Sequence, residues 1–239
     1  MSRKSQKTKG FKFKQFEING GQCGMPVSTD GVLLGAWIDL KNVTRVLDIG
    51  TGTGLLALMC AQRQPNAEVL AIDIDEHAAA TARLNAEHSP WTTRIRIERA
   101  DILTFSFTDS FDAIICNPPY FNSGEQSLTQ QRATARHTDS LSHEALLDRC
   151  QTLLQEQGTA SFILPIAEGQ AFIALAQKLN FHCTRLCRVK PTGAKTENRL
   201  LIELRKQNIE CQHQQLTIRD KLKYSEDFIA LTKDFYLKM

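Results

Sequence analysis

Short apolar runs separated by polar, periodic stretches set the plan of this chain. Arg45–Ile49, residues 68–72 and Phe111–Cys116 are largely apolar runs of five or six residues, the pattern of strands buried on both faces. Helical spacing covers Leu55 to about Gln62 and residues 76–86, the second opened by Asp75 as N-cap. Residues 94–99 alternate like a half-buried strand. Further on, a helix over 142–155 is expected to stop at Gly158, and a strand over 159–164 at Pro165. A helix over about 170–179, strands over 181–189, 200–204 and 215–219, and an amphipathic helix from Ser225 to about Tyr236 complete the series. At the other end, Phe11, Phe13 and Phe16 predict a short hairpin with a turn at Asn19-Gly20-Gly21. Ser28-Thr29-Asp30 then supplies capping chemistry before a helix running through Val32 to Trp37. Strands alternating with helices predict an α/β fold: a mostly parallel central sheet with helices on both faces, and near its C-terminal side an antiparallel strand pair.

The chemistry gathers where these strands end. Asn117-Pro118-Pro119-Tyr120 follows Phe111–Cys116, and two prolines cannot continue a central strand. A buried strand therefore ends in an amide, a rigid turn and an aromatic ring, a set of groups able to grip a flat amine. After Arg45–Ile49 comes Gly50-Thr51-Gly52-Thr53-Gly54, a tight turn opening a helix. A dinucleotide fingerprint would need glycine where Leu55 stands, and no Gly-Lys-Ser/Thr follows for a nucleoside triphosphate. Asp73 lies 23 positions after Gly50 and is suited to a ribose diol. Asp101 follows the next strand, where a carboxylate can meet the amino edge of a nucleobase or simply face solvent. Ligands of such sheets bind at the carbonyl ends of the strands, so these four groups are expected to share one site.

Composition narrows the setting. Apolar residues are 42% of the 239 and charged residues 23%, ordinary for a globular chain, and no apolar run approaches the roughly 20 residues of a membrane helix. The basic N-terminus lacks the apolar core of a secretory signal. Seven cysteines without repeated spacing argue against a disulfide framework and point to the cytoplasm. His182, Cys183 and Cys187 resemble half a metal site without a second half, so no metal is expected. Arg3, Lys4, Lys7, Lys9, Lys12 and Lys14 precede any acidic residue, a composition that suits either a phosphate-binding arm or a solubilising tail. Residues 121–140 form a long polar segment carrying Arg132, Arg136 and His137, a candidate substrate-gripping lid. Lys190, Lys195 and Arg199 read more simply as part of a hairpin connection than as a site.

Val46-Leu47-Asp48-Ile49-Gly50-Thr51-Gly52-Thr53-Gly54, Asp73, Asp101 and Asn117-Pro118-Pro119-Tyr120, in this order and spacing, resemble the motif series of the Rossmann-like S-adenosylmethionine-dependent methyltransferases. Within that superfamily the Asn-Pro-Pro-Tyr motif implies methylation of a planar nitrogen, with three acceptors open: adenine N6 in DNA or RNA, guanine N2 in ribosomal RNA, and the glutamine side chain of release factors. The flanks decide between them. Residues 10–16, 28–37 and 231–237 are similar to the bacterial tRNA adenine methyltransferases that modify position 37 of the valine-1 tRNA.

The resemblance implies S-adenosylmethionine as cofactor, tRNA as partner and N6 of adenine as acceptor. Asn117 and Pro118 would accept the two N6–H bonds, and Tyr120 would stack on the base with Phe121 as a second wall. Asp48, Gly50, Thr51, Gly52 and Gly54 would hold the amino-acid end of the cofactor, Asp73 its ribose and Asp101 its adenine amine, with Asp30 closing the methionine end and Asn117 shared. Lys4, Lys7, Lys9, Arg132 and Arg136 would meet RNA phosphates. Residues 1–44 are expected to form a basic arm, hairpin and helix packed on a methyltransferase domain over 45–239, in one compact unit with a monomer as default. The 44 residues before the first core strand leave little room for the helical N-terminal domain of release-factor methyltransferases. A non-catalytic, cofactor-binding RNA module would need neither Asn117 nor Tyr120.

Overall fold

A computed structural model describes residues 10–21, 27–118 and 141–238. Eleven strands and six α-helices are formed among them: β1 Phe11–Lys12, β2 Glu17–Ile18, α1 Thr29–Trp37, β3 Arg45–Ile49, α2 Leu55–Arg63, β4 Glu68–Asp73, α3 Glu76–Glu87, β5 Ile95–Arg99, β6 Phe111–Cys116, α4 His143–Leu153, β7 Leu154–Pro165, α5 Ile166–Lys178, β8 His182–Thr192, β9 Arg199–Arg205, β10 Gln212–Asp220, β11 Lys223–Tyr224 and α6 Glu226–Thr232. Nine strands make one sheet in the order β11-β10-β8-β9-β7-β6-β3-β4-β5. Seven of these strands run the same way; β9 is antiparallel to β7 and β8, and β11 is antiparallel to β10.

Apolar runs make these strands because both faces are covered. Val46, Ala113, Ile115 and Ile163 point into one apolar layer with α1, α2 and α3. Their chain neighbours Leu47, Ile114, Phe162 and Leu164 point into the other, with α4 and α5. The period-2 pleat sends successive side chains to opposite faces, so a strand between two layers must be apolar throughout. Caps define where helices begin. Ser28, Asp75, Ser142 and Ser225 accept from the N–H of Gly31, Ala78, Ala145 and Phe228 at 2.8–3.1 Å, each cap contributing about 1 kcal/mol.

Three expectations need correction. The N-terminal hairpin turns at Phe13–Phe16, not at Asn19-Gly20-Gly21: the Phe13 N–H donates to the Phe16 carbonyl at 2.9 Å and their buried rings stack at 4.6 Å. Asn19 is instead tied to the Asn85 amide in both directions, at 2.9 and 3.1 Å, which docks the hairpin on α3. Gly158 does not end a helix. It lies inside β7, in an irregular stretch between the pairs Phe111↔Leu154 and Ala113↔Thr159, where a Cβ would stand 2.9 Å from the Asp112 carbonyl oxygen. Lys190 and Arg199 belong to strands, and only Lys195 sits in the connection between them.

Asp112 ties β6 to the start of β3. One of its oxygens accepts from the Thr44 N–H, the Thr44 hydroxyl and the Arg45 N–H at 2.7–2.9 Å, where β3 begins. Asp112→Ala leaves these donors without their acceptor and is expected to cost about 1–3 kcal/mol in urea unfolding, with little effect on the carbonyl edge. An unchanged unfolding midpoint would show that this tie contributes nothing.

Candidate active site

Strand register brings the candidate residues together. Ile49 of β3 pairs with Ile72 on one side and with Cys116 on the other. The next residues outward are therefore Gly50, Asp73 and Asn117, side by side at the carbonyl edge. At one strand spacing apiece, Gly50 stands about 5 Å of backbone from each. Asp73 itself pairs with Arg99, and the Ala100 N–H donates to the Asp73 carbonyl at 2.9 Å, which brings Asp101 alongside.

The glycine turn is closed by two carboxylates. Gly50, Gly52 and Gly54 have φ of 70°, 58° and 83°, a left-handed backbone that side chains disfavour. The Gly50 and Thr51 N–H groups both reach the Ile72 carbonyl, at 2.9 and 3.0 Å. Asp48, fully buried, accepts from the Thr51 hydroxyl at 2.6 Å and from the Ala57 N–H at 3.1 Å through Oδ2. Its Oδ1 is buried and unpartnered among the described residues. Asp73 accepts from the Gly52 N–H through Oδ2 and the Asp75 N–H through Oδ1, both at 2.9 Å. A Cβ on Gly50 or Gly52 would meet nothing within 4 Å, whereas one on Gly54 would stand 3.3 Å from Ala82. The first two glycines thus face open space, and the third serves the packing of α3.

Electrostatics make this turn receptive to a cation. Burial pushes the Asp48 carboxyl up to about 7, against its Thr51 and Ala57 hydrogen bonds and with a further push from Asp73. Burial also raises Asp73, opposed by its backbone donors. Two carboxylates held upward in pKa, one with an orphaned oxygen, would both be stabilised as anions by positive charge placed in the turn.

The other carboxylates differ in their surroundings. Asp101 is half-buried, and its Oδ1 accepts from the Leu103 N–H at 2.9 Å. Beside it, Ile74 and Leu103 expose 62% and 44% of their surfaces, apolar groups flanking two acids at the strand ends. Their signal in the sequence is an apolar residue set one or two places after each acid. Asp30, in the first turn of α1, receives the Arg199 Nε–H at 2.7 Å, so it reaches the edge as half of a shielded ion pair. Arg199, expected in a hairpin connection, thereby stands beside a candidate site residue, a placement that the sequence does not disclose. Glu168, in the first turn of α5, has both carboxylate oxygens shielded and unpartnered among the described residues; burial raises its pKa, opposed by Arg199.

Asn117 is half-buried and Pro118 buried. Pro119, Tyr120, Phe121, Arg132, Arg136 and His137, with Lys4, Lys7 and Lys9, lie outside the described residues. Among the described residues no group of three or more His, Cys, Asp or Glu side chains could hold a metal ion, and no helix is long and apolar enough to cross a membrane. Cys183 and Cys187 pack into opposite apolar layers of the sheet, which separates the two thiols of the half-site pattern.

Comparison with known proteins decides the family. The family described as methyltransferase small domain matches residues 31–159. A protein of Vibrio campbellii named tRNA1(Val) (adenine(37)-N6)-methyltransferase is 56% identical over 232 residues, covering 97% of both chains. A protein of the same name from Aliivibrio fischeri is 53% identical, covering 97% of this chain and 99% of its own. This chain belongs to the tRNA1(Val) (adenine(37)-N6)-methyltransferase family. Among solved structures, a predicted O-methyltransferase of Agrobacterium tumefaciens superposes with a TM-score of 0.69 at 17% identity, covering 86% of this chain and 96% of that one. The glycopeptide N-methyltransferase MtfA, solved with S-adenosyl-L-methionine, superposes at 0.55 and 12% identity over 75% of this chain and 99% of its own. At such identities the likeness shows the methyltransferase fold.

The buried state of Asp48 predicts a pH signature. Its folded pKa of about 7 lies above the usual carboxylate value, so the folded protein holds a proton that the unfolded chain releases. Stability from this group is present in acid and is lost as pH rises toward 7. Asp48→Asn should therefore raise the melting temperature, relative to the unaltered protein, by several degrees more at pH 8 than at pH 4 in calorimetry. An equal difference at both pH values would contradict this.

Proposed function

We propose that this protein is a cytoplasmic enzyme that transfers a methyl group from S-adenosylmethionine to the exocyclic N6 of adenosine 37 in the valine-1 tRNA. The observation that carries this reading is the register placing Asn117-Pro118 directly beside Gly50 at one sheet edge. Family membership supplies the acceptor class.

The residues present fit the cofactor. Gly50 and Gly52 leave an open cradle, and the orphaned Asp48 Oδ1 fits a positively charged group next to it. Bound there, S-adenosylmethionine supplies an electrophilic methyl group whose transfer leaves the neutral thioether S-adenosylhomocysteine. Asp48, kept in place by Thr51, would face the cofactor's amino-acid end, and Asp30 with Arg199 would close the methionine end. Asp73 keeps lone pairs beyond its backbone bonds for a ribose diol. Asp101 would accept from the adenine amine between the apolar walls of Ile74 and Leu103.

On the acceptor side, the adenine amine is a weak nucleophile because its lone pair is delocalised into the ring. The Asn117 side-chain oxygen and the Pro118 carbonyl would accept its two hydrogens. That favours a pyramidal nitrogen with its lone pair toward the methyl, an interaction that strengthens in the transition state. Tyr120 would stack on the base with Phe121 opposite, and base–aromatic stacking contributes about 1–3 kcal/mol per base. The alkylated amine is acidic and releases one proton to water, so no dedicated base is needed. An unstacked loop purine reaches such a pocket at less cost than a base in a duplex. Lys4, Lys7, Lys9, Arg132 and Arg136 would meet the loop's phosphates.

Asn117→Ala tests the assignment. It should lower methyl transfer to tRNA by roughly 100-fold or more while S-adenosylhomocysteine binding, measured by calorimetry, changes little. An Asn117→Ala enzyme that keeps its activity would overturn the role given to this turn.

A further inference from the structure

The carbonyl edge continues past the reactive turn. From β6 the sheet proceeds through β7, β9 and β8 to β10, and β7, β8 and β10 all run parallel to β6. The ends of β8 and β10 therefore emerge on the same edge as Asn117, with Thr192 paired to Arg219. Four strand steps at about 4.8 Å put β10 about 19 Å from the amine-gripping turn.

Basic side chains crowd this stretch. Lys190 and Lys195 come from β8 and the connection after it, and Arg219, Lys221 and Lys223 from the β10–β11 hairpin. The lysines at 190, 195, 221 and 223 make no ion pair among the described residues. Of the nearby acids, Glu197 is engaged by Arg188 at 3.4 Å, and Asp220 stands opposite Lys223 across the turn. Arg219 is held in place, its guanidinium 4.6 Å above the Tyr224 ring, which stacks on Phe228 at 4.8 Å.

The hairpin tip is built against local preference. A two-residue turn between Asp220 and Lys223 favours asparagine or glycine, yet Lys221 takes φ of 52° there, and Leu222 beside it is 92% exposed. A long cation in a left-handed position and an unshielded leucine do nothing for folding that Asn-Gly would not do better. A partner that meets the tip would explain both.

We propose that the edge over β8 and β10, carried by Lys190, Lys195, Arg219, Lys221 and Lys223, is an RNA-binding track that holds backbone phosphates of the tRNA flanking the target nucleotide. This rests on the tRNA reading above. Cations unpaired by protein suit phosphates, each neutralised phosphate releasing counterions, and the track shares its edge with the reaction.

The test compares two triple variants of the full chain, Lys195→Gln/Lys221→Gln/Lys223→Gln on the track and Lys41→Gln/Lys178→Gln/Lys206→Gln at the opposite sheet edge. Binding of the purified tRNA is titrated over a range of salt. The track variant should bind roughly tenfold or more weakly at low salt, with the slope of log Kd against log salt reduced by about 2, as expected for three lost contacts to a single strand. The opposite-edge variant should bind as the unaltered protein does, and S-adenosylhomocysteine affinity should be the same in all three. Equal losses in both variants, or no loss in the track variant, would overturn the track while leaving the substrate reading intact. Failure of the unaltered protein to bind tRNA would overturn the substrate reading itself. Lys221→Gly separates folding from binding: it should raise the melting temperature and still weaken tRNA binding, and a variant that is stabilised with unchanged affinity would also overturn the proposal.

Discussion

The fixed register of β3 between β4 and β6 is the constraint on which the rest of this structure depends. Because Ile49 is paired on both sides, the three strands end together, and the turns leaving them must share one narrow space. The chain leaves β3 through three left-handed glycines, a costly path held open by Asp48 and Asp73. Those carboxylates occupy the turn at the expense of their own solvation, and their raised pKa values record that expense. Charge that is unfavourable in the ligand-free protein becomes favourable when a cation enters. Binding of the proposed cofactor would thus be coupled to the fold through the same two side chains.

Most of the sheet is legible in the sequence because strands buried on both faces must be apolar throughout, and few other structures impose that pattern. Phe111–Cys116 and Arg45–Ile49 match their apolar runs to the residue for this reason. Sequence and structure part where tertiary contact overrides local preference. Gly158 looks like a helix stop in sequence, yet its missing side chain admits the Asp112 carbonyl within an irregular strand pairing. Asn19-Gly20-Gly21 looks like a hairpin turn, but burial of the stacked Phe13 and Phe16 rings places the turn earlier.

Legibility of the site divides in the same way. Candidate residues at strand ends, such as Gly50, Asp73, Asp101 and Asn117, carry their position in the chain pattern. Arg199 does not: it joins Asp30 only because β9 returns antiparallel beside β7, a pairing between residues 169 positions apart. The basic hairpin at Lys221 is similar. Its place on the carbonyl edge depends on β10 joining the sheet parallel to β8, which no local periodicity reveals. The two ends of the chain also meet in space, since Phe13 bridges to Tyr236 and the Lys14 Nζ donates to the Lys233 carbonyl at 2.6 Å. Segments that resemble the tRNA-modifying family at opposite ends of the sequence thus form one surface.

We propose that the Asn117 turn and the glycine turn form one site whose acceptor is an adenine amine in RNA. Incubation of the protein with labelled S-adenosylmethionine and total tRNA from a strain lacking the gene, followed by mass spectrometry of nucleosides and of ribonuclease fragments, addresses it directly. N6-methyladenosine is expected in a single tRNA species, at the position next to the anticodon. Unmethylated tRNA, or label on a base other than adenine, would contradict it.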